Sequence, residues 1–166
     1  MANYIYPAPG VTGVEATLAL EVSTDATNDS LSVPSLQDIT VNAANDVFTW
    51  TQLDSAAKRQ VATTATNSLS MNLVLNQTSF FGDGTSAAGT ASLKGIFGMS
   101  TDKDLVEFSL YLGDESDGTT GKTITGTGYI TGLAPTVSAD SPVWVSPITI
   151  EVNGDYEGPE LVTLGA

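Results

Sequence analysis

Apolar and polar residues alternate with a period of two along most of this chain, the pattern of strands with one buried face. In "VEATLALEV", Val14, Ala16, Leu18, Leu20 and Val22 fall on one side and Glu15, Thr17, Ala19 and Glu21 on the other. "VPSLQDITV" predicts a short irregular strand entered through Pro34. "DVFTWTQLD" (46–54) is rich in β-branched and aromatic residues and predicts another strand. "SLSMNLVLN" sets Leu69, Met71, Leu73 and Leu75 against Ser70, Asn72 and Asn76. Between these two runs the polar stretch around "SAAKRQVATTATN" shows no alternation, which predicts a hairpin with a long, soft tip over 54–67.

The second half continues in the same way. "KDLVEFSLYLG" (103–113) alternates Val106, Phe108, Leu110 and Leu112 with Glu107 and Ser109. "KTITGTGYITGLAPTV" reads as a strand whose glycines suggest a bend or close packing. In "PVWVSPITIEVNG" (142–154) the apolar series Val143, Val145, Ile148, Ile150 and Val152 changes phase at Ser146–Pro147, which predicts a bulge there. One helix is predicted over 86–98, "SAAGTASLKGIFG", with Ser86 as N-cap and Gly98 as its stop. Its internal Gly89 and Gly95 each cost about 1 kcal/mol relative to Ala.

These elements predict one mainly β domain over 1–166: an antiparallel sandwich or open barrel of seven or eight strands with one short helix. Residues 1–13 precede the first strand as an arm, and 158–166 follow the last as a tail. Leu18, Leu20, Leu73, Phe108, Leu110 and Ile150 are expected in the core. Trp50 and Trp144 lie within strand runs and are assigned to the core with them.

Charge narrows the function. Nineteen acidic residues face five basic ones, for a net charge of −14. Such a surface repels nucleic acid, and five scattered cations build no basic patch. Two of the five, Lys58 and Arg59, are neighbours on the expected hairpin tip. The chain has no cysteine and no histidine, which removes thiolate zinc sites, the commonest metal ligand and the commonest general base. "SDGTTGKT" (116–123) ends like a phosphate loop, but Ser116 stands where that loop needs glycine, and a strand follows instead of a helix. "FGDGT" and "DESDG" lack the ligand spacing of a calcium loop and read as solvated turns. No pair of carboxylates is marked out for glycoside chemistry. No catalytic, cofactor or metal site is expected. "MANYIYPAPG" lacks the basic start and apolar run of a signal peptide, and no run approaches the roughly 18 apolar residues of a membrane span, so a soluble protein used without export is expected.

The order of segments from 46 to 157 resembles the tail tube proteins of long-tailed bacteriophages. The likeness is carried by "TWTQLDSAAKRQVATTATNSLSMNLVLN", where a strand enters an Ala-Lys-Arg element and an alternating strand returns. It continues through "AAGTASLKGIFG", "DLVEFSLYLG", "GYITGLAP" and "ITIEVNGDYEG". The resemblance implies a structural virion protein, present in the tail and assembled in the host cytoplasm, whose homohexameric rings stack and whose strands close a barrel around a channel. It implies partners in the tape-measure, tail terminator and baseplate or tip proteins, and in a sheath if the tail contracts. Viral DNA would pass through the lumen without specific binding, and an acidic wall suits that traffic. The resemblance also places the hairpin tip toward the next ring, with Lys58 and Arg59 meeting its carboxylates. Two alternatives remain: the tube protein of a type VI secretion system, which carries effectors, and a capsid-decorating or surface-adhesion β-sandwich, which would expose an aromatic platform.

Overall fold

The computed structural model describes residues 14–33, 36–114, 122–140 and 143–161; the predicted N-terminal arm, the acidic turn "DESDG" beyond Asp114 and the chain after Leu161 lie outside them. Among the described residues, eight antiparallel strands form one curled sheet that does not close on itself. They are β1 (Val14–Val22), β2 (Leu31–Val33), β3 (Leu36–Gln52), β4 (Ser55–Val74), β5 (Val106–Asp114), β6 (Lys122–Leu133), β7 (Val145–Val152) and β8 (Glu157–Leu161). The order across the sheet is β2-β1-β5-β6-β7-β4-β3, with β8 also paired to β6. β7 and β8 lie against the same edge of β6, β7 opposite its second half and β8 opposite Lys122–Thr125. Between them the chain leaves the sheet through 153–156.

Alternation of β1, β4, β5 and β7 delivers the core: Leu18, Leu20, Leu69, Leu73, Phe108, Leu110 and Ile150 are all buried. Two helices cover it, α1 (Gln77–Phe81) and α2 (Ala91–Asp102), from which Phe80, Ile96 and Met99 reach inward. The helices differ from the single one expected over 86–98. Asn76 caps α1, its side-chain oxygen accepting from the N–H groups of Thr78 and Ser79. Thr90 caps α2, and Ser86 instead donates its N–H and hydroxyl to Asp83. Gly98 does not stop α2; the stop is Lys103, in the left-handed conformation, which donates its N–H to the carbonyls of Met99 and Ser100. Gly95 interrupts the helix at φ 65 and ψ 179, which explains why its periodicity is weak.

Three further expectations change. Ser55–Asn67 is not a loop but strand, and the turn is confined to Leu53–Asp54. β7 holds its phase at Ser146–Pro147: Ser146 takes a core-facing position, its hydroxyl donating to the Pro147 carbonyl (2.8 Å) and accepting from the Ala134 N–H. The irregularity falls on the neighbouring strand, between Ile130 and Gly132. Neither tryptophan is core. Trp50 is half-buried on a ribbon that extends beyond the packed body, and Trp144, 49% exposed, precedes the first paired residue of β7. Strand propensity dictates their backbone, not what covers them.

Acidic loops tie the helical layer to the sheet. Asp25 accepts from the Thr27 N–H and hydroxyl and from the Asp29 N–H, while Asp29 accepts from the Ser92 N–H at 2.8 Å. Asp83 accepts from the Thr85 and Ser86 N–H groups and the Ser86 hydroxyl, and these bonds, that from the hydroxyl foremost, hold its carboxyl down at about 2. Asp25 is lowered by its bonds from Thr27. A carboxylate with a depressed folded pKa stabilises fully above its unfolded value and loses that contribution as pH falls through the folded one. Melting temperature is therefore expected to fall between pH 3.8 and about 2, and Asp83→Asn to flatten part of that fall in circular dichroism melts. An Asp83→Asn profile that parallels wild type would assign the acid lability elsewhere.

Candidate functional site

β3 and β4 outrun the rest of the sheet. β4 pairs with β7 only from Ser68 to Val74, while it pairs with β3 from Ser55 to Leu73. Beyond Ser68 the two strands project as a two-stranded ribbon, 42–67, roughly 30 Å long at 3.3 Å per residue. Both its faces are exposed. A two-stranded ribbon with neither face covered gains little stability of its own, so the arm depends on its root in the sheet.

The arm's root is pinned. The Tyr156 hydroxyl lies 2.7 Å from the Asn42 carbonyl and 2.8 Å from that of Ser68, the two residues paired where the ribbon begins. Asn67, buried, donates its amide to the Gly154 carbonyl at 3.0 Å. The excursion between β7 and β8 thus fixes the angle at which the arm leaves. Burial raises the Tyr156 pKa, so the phenol stays a neutral donor. Further out, a bulge at Asp46 is sealed by the Thr64 hydroxyl donating to the Asp46 carboxylate (2.9 Å) and the Thr63 hydroxyl donating to its carbonyl.

Lys58 and Arg59 are both exposed on this arm, paired with Thr51 and Trp50 respectively. Consecutive residues of a strand point to opposite faces, so the two cations do not act on one surface. Arg59 shares its face with Phe48, Trp50 and Val61; the rings of Phe48 and Trp50 stack at 5.9 Å. Lys58 shares the other with Val47, Thr49 and Gln60. Phe48 is 60% exposed and Leu53, in the turn, fully so. Sequence reasoning missed this apolar surface because it assigned Trp50 inward; strand propensity in "DVFTWTQ" gave the extended backbone but nothing in "SAAKRQ" marked the returning strand.

The sheet's outer face is polar and acidic. Glu21 and Glu107 are directly opposite each other, and Glu107 is next to Thr127. With Asp155 and Glu157 they border a groove of about 880 Å³. Like charges directly opposed on neighbouring strands destabilise a sheet. Among the described residues no group of three or more metal-ligating side chains comes together, and no helix is long and apolar enough to cross a membrane.

No protein-family model and no curated protein sequence matches the chain. Solved structures do. The chain is similar to a subunit of the SPP1 tail tube, at 13% identity and a TM-score of 0.62 over 93% of this chain and 82% of that one. It is similar to a chain in the tail of an empty gene transfer agent particle refined with C6 symmetry, at 12% identity and a TM-score of 0.59 over 84% and 93%. A chain in the anti-feeding prophage baseplate gives 12% and 0.59 over 94% and 100%. The curled eight-stranded sheet with its two covering helices is therefore the fold found in tail tube proteins.

Proposed function

We propose that this chain is the repeating, non-enzymatic subunit of a phage tail tube, acting in the virion tail after assembly in the host cytoplasm. Six copies form a ring, rings stack, and the projecting arm makes contacts between subunits, with Lys58 and Arg59 among them. The observation that carries this reading is the arm: about 30 Å of ribbon exposed on both faces, on a fold shared along most of its length with tail subunits. An unpartnered sheet edge invites pairing, and ring closure is one way to use it while removing it. The polar face, with Glu21, Glu107 and Glu151, would line the channel. Its carboxylates repel phosphate within the roughly 8 Å over which charges act at physiological salt. That role gives a reason to keep Glu21 opposite Glu107 despite their repulsion.

The tape-measure, terminator, baseplate and sheath proteins are the partners this reading implies, with DNA passing through unbound. A second reading, the tube of a contractile injection system, is favoured by the likeness to the anti-feeding prophage baseplate and to an extracellular contractile injection system's sheath–tube complex. Neighbouring genes separate the two.

Purified protein, concentrated and viewed by negative-stain electron microscopy, is expected to form rings and hollow tubes. A species that sediments as a monomer at every concentration would refute the proposal. Duplex DNA is expected to show no measurable binding at about 0.15 M salt; micromolar, salt-sensitive binding would refute the repelling wall.

A further inference from the structure

All of the chain's net charge of −14 lies outside the arm. Residues 42–67 hold Asp46 and Asp54 against Lys58 and Arg59 and are net neutral, leaving three cations and seventeen acids on the rest. From this and the cross-strand register we infer that the arm is a two-faced connector that docks on two different copies of this chain, one through each face. The inference rests on the tube reading above and adds the division of labour between the faces.

The register fixes the faces. Phe48 pairs with Val61 and Trp50 with Arg59, so these four form one surface, largely apolar with a single cation. Val47 pairs with Ala62, Thr49 with Gln60 and Thr51 with Lys58, so the reverse surface is small and polar, again with a single cation. A ribbon is one residue layer thick, so a partner that covers the stacked rings leaves Lys58 pointing away from it. One contact cannot satisfy both cations. The occupant is this chain itself because the rest of it, with seventeen acids against three cations, offers carboxylates to each of the arm's two cations. A nucleic acid would meet the same anionic body and be repelled.

The faces differ in strength. Large aromatic side chains dominate association energetics, whereas an exposed ion pair adds little. The aromatic face therefore holds the tight contact and the Lys58 face the weak, repeated one.

The chain suits a direct test. Trp144→Phe leaves Trp50 as its only tryptophan, and with no native cysteine, Gln60→Cys carries a single environment-sensitive dye on the reverse face. On raising the concentration, Trp50 emission is expected to shift to the blue and the dye at position 60 to respond at higher concentration. Phe48→Ser with Val61→Ser is expected to abolish the Trp50 shift and weaken association by about tenfold or more, with circular dichroism unchanged. Lys58→Glu is expected to keep the Trp50 shift, lose the dye response and slow tube growth. Should Lys58→Glu abolish both signals together, the arm makes one contact and the inference is wrong. Tubes that form with no shift in Trp50 emission sink the connector and leave the tube reading standing. Both signals without tubes do the reverse, and a chain that never associates overturns both.

Discussion

Gly82→Ala is expected to lower the melting temperature by about 10 °C, a large effect for one added methyl group. Gly82 follows α1 with φ 91 and ψ 158, and a Cβ there would stand 1.9 Å from the Leu93 carbonyl oxygen. Across the contact, a Cβ on Gly95 would stand 2.3 Å from the Gly82 nitrogen. The kink of α2 and the end of α1 thus touch backbone to backbone, and no rotamer change can relieve the clash. Holding a non-glycine residue in such a conformation costs about 1–3 kcal/mol, and forcing the backbones apart adds about 1–3 more. At about 2–4 °C per kcal/mol for a chain of this size, the sum gives the stated shift. Gly84→Ala is the control: its φ is also positive, at 68, but nothing lies within 4 Å of the added Cβ. It should cost only about 1–2 kcal/mol. Equal losses in the two variants, read by calorimetry, would show that conformation and not contact decides.

The second large effect concerns Phe108. It is 2% exposed, lies across from Gly126 and meets Tyr156 edge-on at 6.3 Å. A Cβ at position 126 would come within 2.7 Å of its ring, so the glycine is the seat the ring occupies. Phe108→Ala is expected to destabilise by about 3–5 kcal/mol, the usual range for truncating a buried aromatic. Gly126→Ala alone should also destabilise, by overpacking. Together they should not add: with the ring gone, the methyl group introduced by Gly126→Ala fills part of the hole. A double-mutant cycle is expected to show coupling of about 1 kcal/mol or more, favouring the pair. Simple additivity would mean that the ring moves aside at no cost.

Much of the body was legible in the sequence because its faces differ. Leu18 and Leu20, Leu69 and Leu73, Phe108 and Leu110 alternate with polar neighbours, and alternation reports a sheet with one side covered. The arm was not legible for the same reason inverted. With both faces exposed, "SAAKRQVATTATN" has no reason to alternate, so a strand looked like a loop. Trp50 and Trp144 show the limit of propensity, which says extended backbone and not inside or outside. α1 has five residues, too few for a helical period, and its signal was the Asn76 cap alone. The candidate site, Lys58 and Arg59, was visible as an anomaly of charge. Their separation onto two faces follows once 55–67 is strand, whereas which side chains share each face needed the register, which depends on where the turn falls.

The arm also has a place in time. β3 and β4 join through a two-residue turn, so their pairing closes only short loops and forms early. β1, by contrast, waits for β5: Leu18 pairs with Leu110, ninety-two positions along the chain. Contacts that distant form late, because the loop entropy must be met before the pairing repays it. A newly made chain therefore carries its arm while its body is still open, with Phe48 and Leu53 already facing solvent. Such a chain is most at risk of pairing with its neighbours before it is finished, and its net charge of −14 adds a repulsion between copies that opposes the encounter.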